Sequence, residues 1–495
     1  MSAEDKLRYE INKCRTCEAC KTLLDLSCVV FPEMFSLVDK ERETGERIST
    51  DELRKLVDLC NFCASCPCLD IRAAIMNAKT EYMDRYGLGF KIRAIENVER
   101  IGKLGGALPQ LTNFLLENEL TRGLIENTLG IHRDRKIPSL PKENFSKWIK
   151  RHKKNPRTGT KGKKKVAYFV GCSAKYFFPE VPEAVVEVFE RNGIEVYYPE
   201  QQCCGMPPLL EGDRKLTLEF ARFNVPRLAE AVEDGYDIVC SCPTCGYMLK
   251  KVLKVGAYYS AEYRDLIESS DGFVKIPIGE TPLHSIYGGF VLFGVELFKG
   301  MLRDEGYFSS ISPKKRIMVA ENTYDVGEYL RMLHERGELD TRLGPVSFRV
   351  TYYPPCHLRE QRIGRESLVS IPYTPFVFPS HLREGKIGRP YQYLLDLIPG
   401  LSLDTIEGDY CCGNAGIMGF KQEFHQLSIK IASKLIAKIK SMNPEVLATD
   451  CLSCRIQFNQ LTPYKVLHPI QIIKESYSNY QGQTEKEASR TALPA

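Results

Sequence analysis

The spacing of apolar residues divides the chain into a helical part and a part in which strands and helices alternate. Between residues 69 and 149, apolar side chains recur three or four positions apart with few β-branched runs, which predicts helices. From residue 166 the pattern changes. Residues 166–170 form an apolar run typical of a buried strand, and Val181, Val185 and Phe189 follow helical spacing. This alternation indicates α/β units with parallel strand pairing.

A repeated cysteine pattern lies on these α/β units. Each copy has one cysteine after a predicted strand, then a Cys-Cys-Gly triplet, then a Cys-x2-Cys pair after another strand. The cysteines are Cys172, Cys203, Cys204, Cys242 and Cys245 in the first copy, and Cys356, Cys411, Cys412, Cys451 and Cys454 in the second. Alignment of the copies places Cys240 opposite Thr449, so we do not expect Cys240 to be a ligand. The second copy is longer after its first cysteine, and we place the extra residues around 370–390.

Two further cysteine motifs lie within the first 68 residues. They are Cys14, Cys17, Cys20 and then Cys28, and Cys60, Cys63, Cys66 and then Cys68. Three cysteines at two-residue spacing wrap one [4Fe–4S] cubane, and in two-cluster ferredoxins the fourth ligand comes from the other motif. This crossing pairs the first triplet with Cys68 and the second with Cys28. Pro67 leaves open whether Cys66 or Cys68 is the remote ligand. Zinc is the alternative for Cys-x2-Cys pairs, but two complete triplets favour iron and sulfur.

The repeated pattern also favours clusters over single ions. Adjacent cysteines rarely bind one tetrahedral metal together because their side chains diverge, but they can hold several irons of one cluster. Gly205 and Gly413 allow the backbone to approach and to donate N–H groups to sulfur. The alternative is that these cysteines only pack on loops, which two complete copies make a poor explanation.

Four other residues near these motifs have weaker signals. His357 follows Cys356 and is a candidate proton or hydrogen-bond donor, with a structural role as the alternative. We expect His468 to be a loop or capping residue, and Lys421 and His425 to lie on the surface.

The composition excludes several classes of protein. The chain has 495 residues, of which 43% are hydrophobic and 26% charged, so a disordered chain is excluded and several domains are expected. A net charge of +5 does not argue for nucleic-acid binding. Nineteen cysteines without a secretory start indicate a reducing, cytoplasmic compartment rather than a disulfide scaffold. The most apolar stretch, 286–302, is interrupted by Glu296 and Lys299, so we expect at most peripheral contact with the inner face of a membrane.

The Cys-Cys-Gly repeat resembles the CCG domains of heterodisulfide reductase. The whole layout resembles the family of CCG-domain iron–sulfur oxidoreductases, which includes its fused ferredoxin–CCG subunit and a subunit of anaerobic glycerol-3-phosphate dehydrogenase. Residues 130–135, 168–172, 411–416 and 419–421 carry this resemblance. It implies a multidomain fold with an α-helical two-cluster ferredoxin domain and two α/β CCG domains. It also implies that the five cysteines of each repeat are cluster ligands.

The resemblance further implies an electron-transfer subunit that holds two [4Fe–4S] cubanes and one or two further clusters in the CCG domains. Electrons would come from a flavoprotein dehydrogenase partner that oxidises glycerol-3-phosphate, lactate or a similar metabolite, and would leave to a quinone or another acceptor. No flavin is expected on this chain, which has no Gly-x-Gly-x-x-Gly after a strand. The alternative is a catalytic disulfide reductase that uses a CCG-bound cluster.

We expect the chain to be divided into six segments. They are a ferredoxin-like domain at 1–100, a helical spacer at 101–146, a basic linker at 147–165, CCG domains at 166–345 and 346–480, and a disordered tail at 481–495. The linker has no acidic residue and is either a solvated connector or a docking strip for an acidic partner or anionic lipid headgroups.

Overall fold

The computed structural model describes residues 2–18, 20–21, 28–60, 62–63, 66, 69–154, 164–263, 273–277, 290–294, 303–362, 389–408 and 410–491. Cys68 lies outside these residues, as do the middle of the basic linker and most of the two segments 286–302 and 370–390.

Most of the described residues among the first 154 lie in helices, and between residues 69 and 129 these helices are the ones that the apolar spacing predicts. Capping boxes start two of the helices, where Ser2 pairs with Asp5 and Ser49 with Glu52. The helices are α1 Ala3–Cys17, α2 Val30–Thr44, α3 Thr50–Asp58, α4 Leu69–Tyr86, α5 Phe90–Glu96, α6 Val98–Gly105, α7 Pro109–Glu117, α8 Glu119–Leu129 and α9 Phe145–Lys154.

The first α/β unit has a four-stranded parallel sheet in the order β2-β1-β3-β6. An antiparallel hairpin of two further strands lies between β3 and β6 in the chain. The elements are β1 Lys164–Phe169, α10 Cys172–Tyr176, α11 Glu180–Arg191, β2 Ile194–Tyr197, α12 Met206–Glu211, α13 Arg214–Glu233, β3 Asp237–Cys240, α14 Pro243–Tyr247, β4 Phe273–Pro277, β5 Phe290–Gly294, α15 Pro313–Glu321, β6 Thr323–Asp325 and α16 Val326–Glu335.

The second α/β unit repeats this sheet, with four parallel strands in the order β8-β7-β9-β10. Its elements are β7 Arg349–Tyr352, α17 Cys356–Arg362, α18 Pro390–Asp396, β8 Ser402–Thr405, α19 His425–Met442, β9 Val446–Ala448, α20 Leu452–Leu461, β10 Lys465–Leu467 and α21 Pro469–Thr491. The parallel pairing predicted from the sequence is therefore confirmed in both units.

The two units correspond strand by strand, and this correspondence explains the cysteine repeat. In each unit the first cysteine follows the first strand, the Cys-Cys-Gly triplet follows the second and the Cys-x2-Cys pair follows the third. Parallel strands place their carboxyl ends on one edge of the sheet, where binding sites of α/β folds form. All five cysteines of a copy therefore come to the same edge.

The two units share one continuous apolar core. It joins Tyr168 and Val185 of the first unit to Tyr352, Leu395 and Ile470 of the second. Helix α11 packs against α21, and α16 packs against α18. A shared core of this kind fixes the positions of the two cysteine-bearing sheet edges relative to each other.

Two expected irregular segments are partly helical. Residues 147–154 of the basic linker belong to α9, and α21 continues through residues 481–491 of the expected disordered tail. Among the described helices, none combines the length and the apolar character that crossing a membrane requires.

Candidate iron–sulfur centres

One cavity in the helical part is lined by four cysteines. Cys28, Cys60, Cys63 and Cys66 line a small cavity that is partly open to solvent. Cys28 precedes α2, and its sulfur accepts the backbone N–H groups of Val30 and Phe31. A cubane binds one thiolate at each of four irons, so it needs cysteines around a cavity rather than at one point. This set fits a cubane.

Charges around this cavity act in opposite directions. Burial raises the pKa of Cys28 to about 12, and the charges of Cys63 and Cys60 add to the effect. Burial also raises the pKa of Cys60, while the charges of Lys79 and Arg72 oppose this shift. Both cations are buried. Their positive charge would partly balance the negative charge of a cluster bound by four thiolates.

The other N-terminal cysteines lie at the end of α1. Cys14 and Cys20 pack in the apolar cluster that also contains Cys28, Cys60 and Cys66, whereas Cys17 is exposed. The structure thus brings this triplet to the same helical core as the second one. Its expected fourth member, Cys68, lies outside the described residues.

The five cysteines of the first repeat form a continuous series of thiol contacts. The Sγ atoms of Cys172 and Cys203 are 3.3 Å apart. Cys204 contacts Cys203 and Cys245, and Cys245 contacts Cys242. Hydrogen bonds from Cys203 and then Cys245 lower the pKa of Cys204 to about 6.

Backbone geometry and side-chain hydrogen bonds hold the loops of this first site together. Gly171 has a φ of 76°, and a Cβ atom there would stand 2.8 Å from the Cys245 sulfur. The Gln201 side chain accepts the backbone N–H of Val170 at 2.7 Å, and the Asn224 amide donates to the Cys203 carbonyl at 2.9 Å. These bonds tie the loops after β1 and β2 together.

The second repeat forms an equivalent site. Cys412 contacts Cys411 and Cys454, and Cys454 contacts Cys451. Hydrogen bonds with Cys411 and Cys454 hold the pKa of Cys412 well below its usual value. The Gly413 N–H donates to the Cys411 sulfur at 3.3 Å, which is the donation expected from the sequence. Cys356 lies close enough for its charge to act on Cys411.

Cys240, which has no counterpart in the repeat, lies on β3 and is fully buried.

Within the described part of the chain, no three His, Cys, Asp or Glu side chains converge on a point suited to one metal ion.

His357 lies where the N-terminal cavity and the two repeats meet. Its Nε2 donates to the Phe62 carbonyl at 2.9 Å, and its Nδ1 lies 3.0 Å from the Thr244 hydroxyl. A carbonyl only accepts, so Nε2 carries the proton and Nδ1 accepts from Thr244. The ring stacks on Tyr247 at 4.9 Å, and burial lowers the pKa of His357 to about 4. A neutral imidazole therefore joins three parts of the chain.

Thiols of different sets approach each other at this junction. Cys63 of the N-terminal cavity lies close enough to Cys356 and Cys411 for its charge to act on both. The Thr244 hydroxyl, between the paired cysteines of the first repeat, lies 4.0 Å from the Cys451 sulfur of the second. Helix α14 of the first unit packs against α17 of the second.

The expectation that Lys421 and His425 lie on the surface is wrong. Both are buried, Lys421 forms an ion pair with Glu211 of the first unit, and His425 stacks on His132 at 4.1 Å. The partners are more than two hundred residues away in the chain, so local sequence gives no signal for them. His468 is a capping residue as expected, because its Nδ1 accepts the Ile470 N–H at the start of α21.

Sequence reasoning also misses the role of Arg135. This arginine belongs to the 130–135 stretch, whose only signal in the sequence is its resemblance to a family. Its guanidinium donates to the Asn414 side chain at 2.8 Å, immediately after the second Cys-Cys-Gly triplet. The position of Asn414 directly after the Cys-Cys-Gly triplet marks it in the sequence as a neighbour of this site. Nothing in the sequence indicates that its partner is Arg135.

The cysteine-rich domain family CCG matches residues 166–250 and 388–459, which cover the cysteines of both repeats except Cys356. Two parallel α/β units with these cysteine sets make the chain a CCG-domain protein. Its cysteines, including the N-terminal set, are consistent with iron–sulfur clusters.

Within that class, the chain is a distant homologue of a subunit of anaerobic glycerol-3-phosphate dehydrogenase from Escherichia coli K12, with 22% identity over 77% of this chain and 76% of the relative. A subunit of fumarate reductase (CoM/CoB) from Methanothermobacter marburgensis is 24% identical over 64% of this chain and 47% of the relative. Lactate utilization protein A from Halalkalibacterium halodurans is 24% identical over 65% of this chain and all of the relative. The first two relatives are thus subunits of a dehydrogenase and a reductase.

Proposed function

We propose that this chain is the iron–sulfur electron-transfer subunit of an oxidoreductase complex. It passes electrons from a flavoprotein dehydrogenase, which acts on glycerol-3-phosphate, lactate or a similar small metabolite, to a quinone or another acceptor. The junction at His357 carries this proposal. It brings an N-terminal thiol set and both repeat sets against one another, which is the arrangement that transfer between successive clusters needs.

The residues divide into ligands and supports. Cys28, Cys60, Cys63 and Cys66 would hold one [4Fe–4S] cubane, and Cys14, Cys17 and Cys20 with Cys68 a second. The five cysteines of each repeat would hold one further cluster. When bound, these clusters supply one-electron steps. His357 and Thr244 fix the distance between the sets and transfer no proton themselves, because His357 is neutral and both its nitrogens are engaged.

Exposed apolar side chains on the helical spacer support the role of a subunit. Monomeric soluble proteins rarely expose many large apolar side chains together, and larger exposed patches mark interaction sites. The exposed residues, which lie on α6 to α8 or in the turns between them, are Ile101, Leu104, Leu108, Leu111, Phe114, Leu115, Leu120 and Leu124.

The test is the iron content of the anaerobically prepared chain, compared between two cysteine variants. We expect about sixteen irons in the wild type, two cubanes and two CCG clusters. Cys245→Ser should lose roughly four irons, because a CCG cluster loses a ligand. Cys240→Ser is the matched control, since Cys240 is equally buried in the same unit and should leave the iron content unchanged.

Two results would contradict the proposal. About eight irons in the wild type would mean that the repeat cysteines hold no cluster. An EPR signal of an oxidised repeat cluster that appears only with added thiol would favour the disulfide reductase instead. Reducible clusters in both repeats without any response to thiol support electron transfer.

A further inference from the structure

The two CCG sites have different charged surroundings. At the first site Glu99 is buried and lies close enough to Cys172 for its negative charge to act on that sulfur. Glu99 is itself paired with Lys175 at 2.9 Å and accepts the Tyr176 hydroxyl at 2.6 Å. The positive charge that follows Cys172 is therefore balanced by a carboxylate.

At the second site a buried cation has only neutral partners. Arg135 is 1% exposed, and it donates to the side-chain oxygens of Asn414 at 2.8 Å, of Gln460 at 2.9 Å and of Gln457. Its guanidinium also lies 4.5 Å from the centre of the Phe420 ring. No carboxylate pairs with it among the residues that the structure describes. Burial lowers the pKa of Arg135 to about 10, so it stays protonated at neutral pH.

A buried charge without a counter-charge is strongly destabilising, so the thiolates of the second site have to compensate it. Arg135 lies close enough to Cys412 for its positive charge to act on that sulfur. A second cation, Arg359, stands three residues after Cys356, as Lys175 does after Cys172. It donates to the carbonyls of Gly408 and Tyr410 at 2.6 and 2.9 Å.

Asn414 connects Arg135 to the cysteines. It follows Cys412 and Gly413 directly, and its counterpart in the first repeat is Met206. Its oxygen accepts from Arg135, while its Nδ2 is buried and has no hydrogen-bond partner within the described part of the chain. Because Arg135 fixes the side-chain amide of Asn414, its Nδ2 group lies beside the Cys-Cys-Gly triplet. There it could donate a hydrogen bond to a sulfur of a bound cluster.

We propose that Arg135 is a positioning residue of the second CCG site. It orients Asn414 and supplies a buried positive charge that gives the cluster there a higher reduction potential than the cluster of the first site. This inference rests on the proposed function. Cys28, Cys60, Cys63 and Cys66 would hold the cubane that supplies one electron to the second-site cluster, and the flavoprotein partner would supply the electron that reduces this cubane again.

The physical basis is the net charge around a cluster. Reduction adds negative charge, so a nearby cation stabilises the reduced form and raises the potential, as do hydrogen bonds to the sulfurs. Loss of the charge should change the equilibrium constant for one-electron reduction by at least about tenfold, which corresponds to about 59 mV for one electron.

The test is an EPR-monitored redox titration of the anaerobically prepared full chain. We expect Arg135→Gln to lower the potential of one repeat cluster by at least about 59 mV, with the other clusters in the same molecule unchanged. Arg135→Lys keeps the charge and should restore most of the difference. Asn414→Met introduces the residue of the first repeat and should lower the same potential less, which gives a second test if Arg135→Gln does not fold.

The outcomes separate this inference from the proposed function. Full iron content with unchanged potentials in Arg135→Gln and Asn414→Met would overturn the inference and leave electron transfer in place. Equal loss of potential in Arg135→Lys and Arg135→Gln would also overturn it, because the charge would not be the cause. A wild-type chain without a cluster in the second repeat would overturn both.

Discussion

Gly205 and Gly413 occupy equivalent positions in the two repeats, yet their surroundings differ. Both have positive φ angles, 89° and 79°. A Cβ atom at Gly205 would find its nearest neighbour at 3.5 Å, whereas one at Gly413 would overlap the Ser428 carbonyl oxygen. The second site is therefore closed on its backbone side by α19, and the first is not.

This difference predicts unequal effects of the same substitution. Gly205→Ala should cost only the strain of the left-handed backbone, about 1–2 kcal/mol, and keep its iron. Gly413→Ala adds the clash, so it should be destabilised further and lose the iron of the second site. Thermal unfolding and iron analysis of both variants check this, and equal losses in the two would contradict it.

At the scale of elements, residues 130–135 form a segment outside the helices, with a turn at residues 133–134, that is held from two sides. Its backbone pairs with residues 420–422, through His132 N–H to Phe420 O at 2.9 Å and Gln422 N–H to Gly130 O at 2.8 Å. On the other side the buried Arg122 donates to the carbonyls of His132, Arg133 and Arg135. Helix α8 thus positions the segment that carries Arg135.

Loss of this anchor should loosen the segment. Hydrogen bonds from a charged donor contribute about 1.5–3 kcal/mol, so Arg122→Leu should speed amide exchange in residues 130–135 and 420–424 by at least about tenfold. Hydrogen exchange with mass spectrometry measures this. Peptides that cover β7 and the following Tyr353, whose N–H bonds to the Ala448 carbonyl, are the internal control. Equal acceleration in both regions would indicate general unfolding instead.

At the scale of the whole molecule, the two CCG units are joined by polar bonds as well as by a shared core. His468 precedes α21 in the second unit, and its Nε2 donates to the Ser241 carbonyl of the first unit at 2.9 Å. Its Nδ1 accepts the Ile470 N–H. Full burial lowers the pKa of His468 to about 3, so the folded protein keeps the ring neutral.

This linkage predicts a dependence of stability on pH. An unfolded histidine binds its proton near pH 6.5, so below that pH the unfolded state binds more protons and the folded state loses stability until the pH approaches 3. At pH 5.5 the loss is about 1.4 kcal/mol. The stability advantage of the wild type over His468→Gln should therefore be smaller by this amount at pH 5.5 than at pH 8. Denaturant unfolding at both pH values measures it, and an unchanged difference would contradict it.

Patterns within short segments made much of the fold predictable. The predicted strand at 166–170 corresponds to β1, and the predicted helix through Val181 and Phe189 is α11. The two copies of the cysteine pattern correspond to two parallel sheets with one strand order. These features were predictable because they depend on the spacing of residues along the chain, which can be read from the sequence.

The sequence by itself determined the residue types and spacings, and hence the cysteine sets and the α/β repeat. Only the tertiary structure decided which charged and polar groups face those sets. Arg135 and Asn414 are 279 residues apart and His357 and Phe62 are 295 apart, so no local period links them. The reason is physical. The covalent chain fixes the spacing of the thiols along the sequence, whereas the electric field and the hydrogen bonds around a site come from the residues that tertiary packing places beside it.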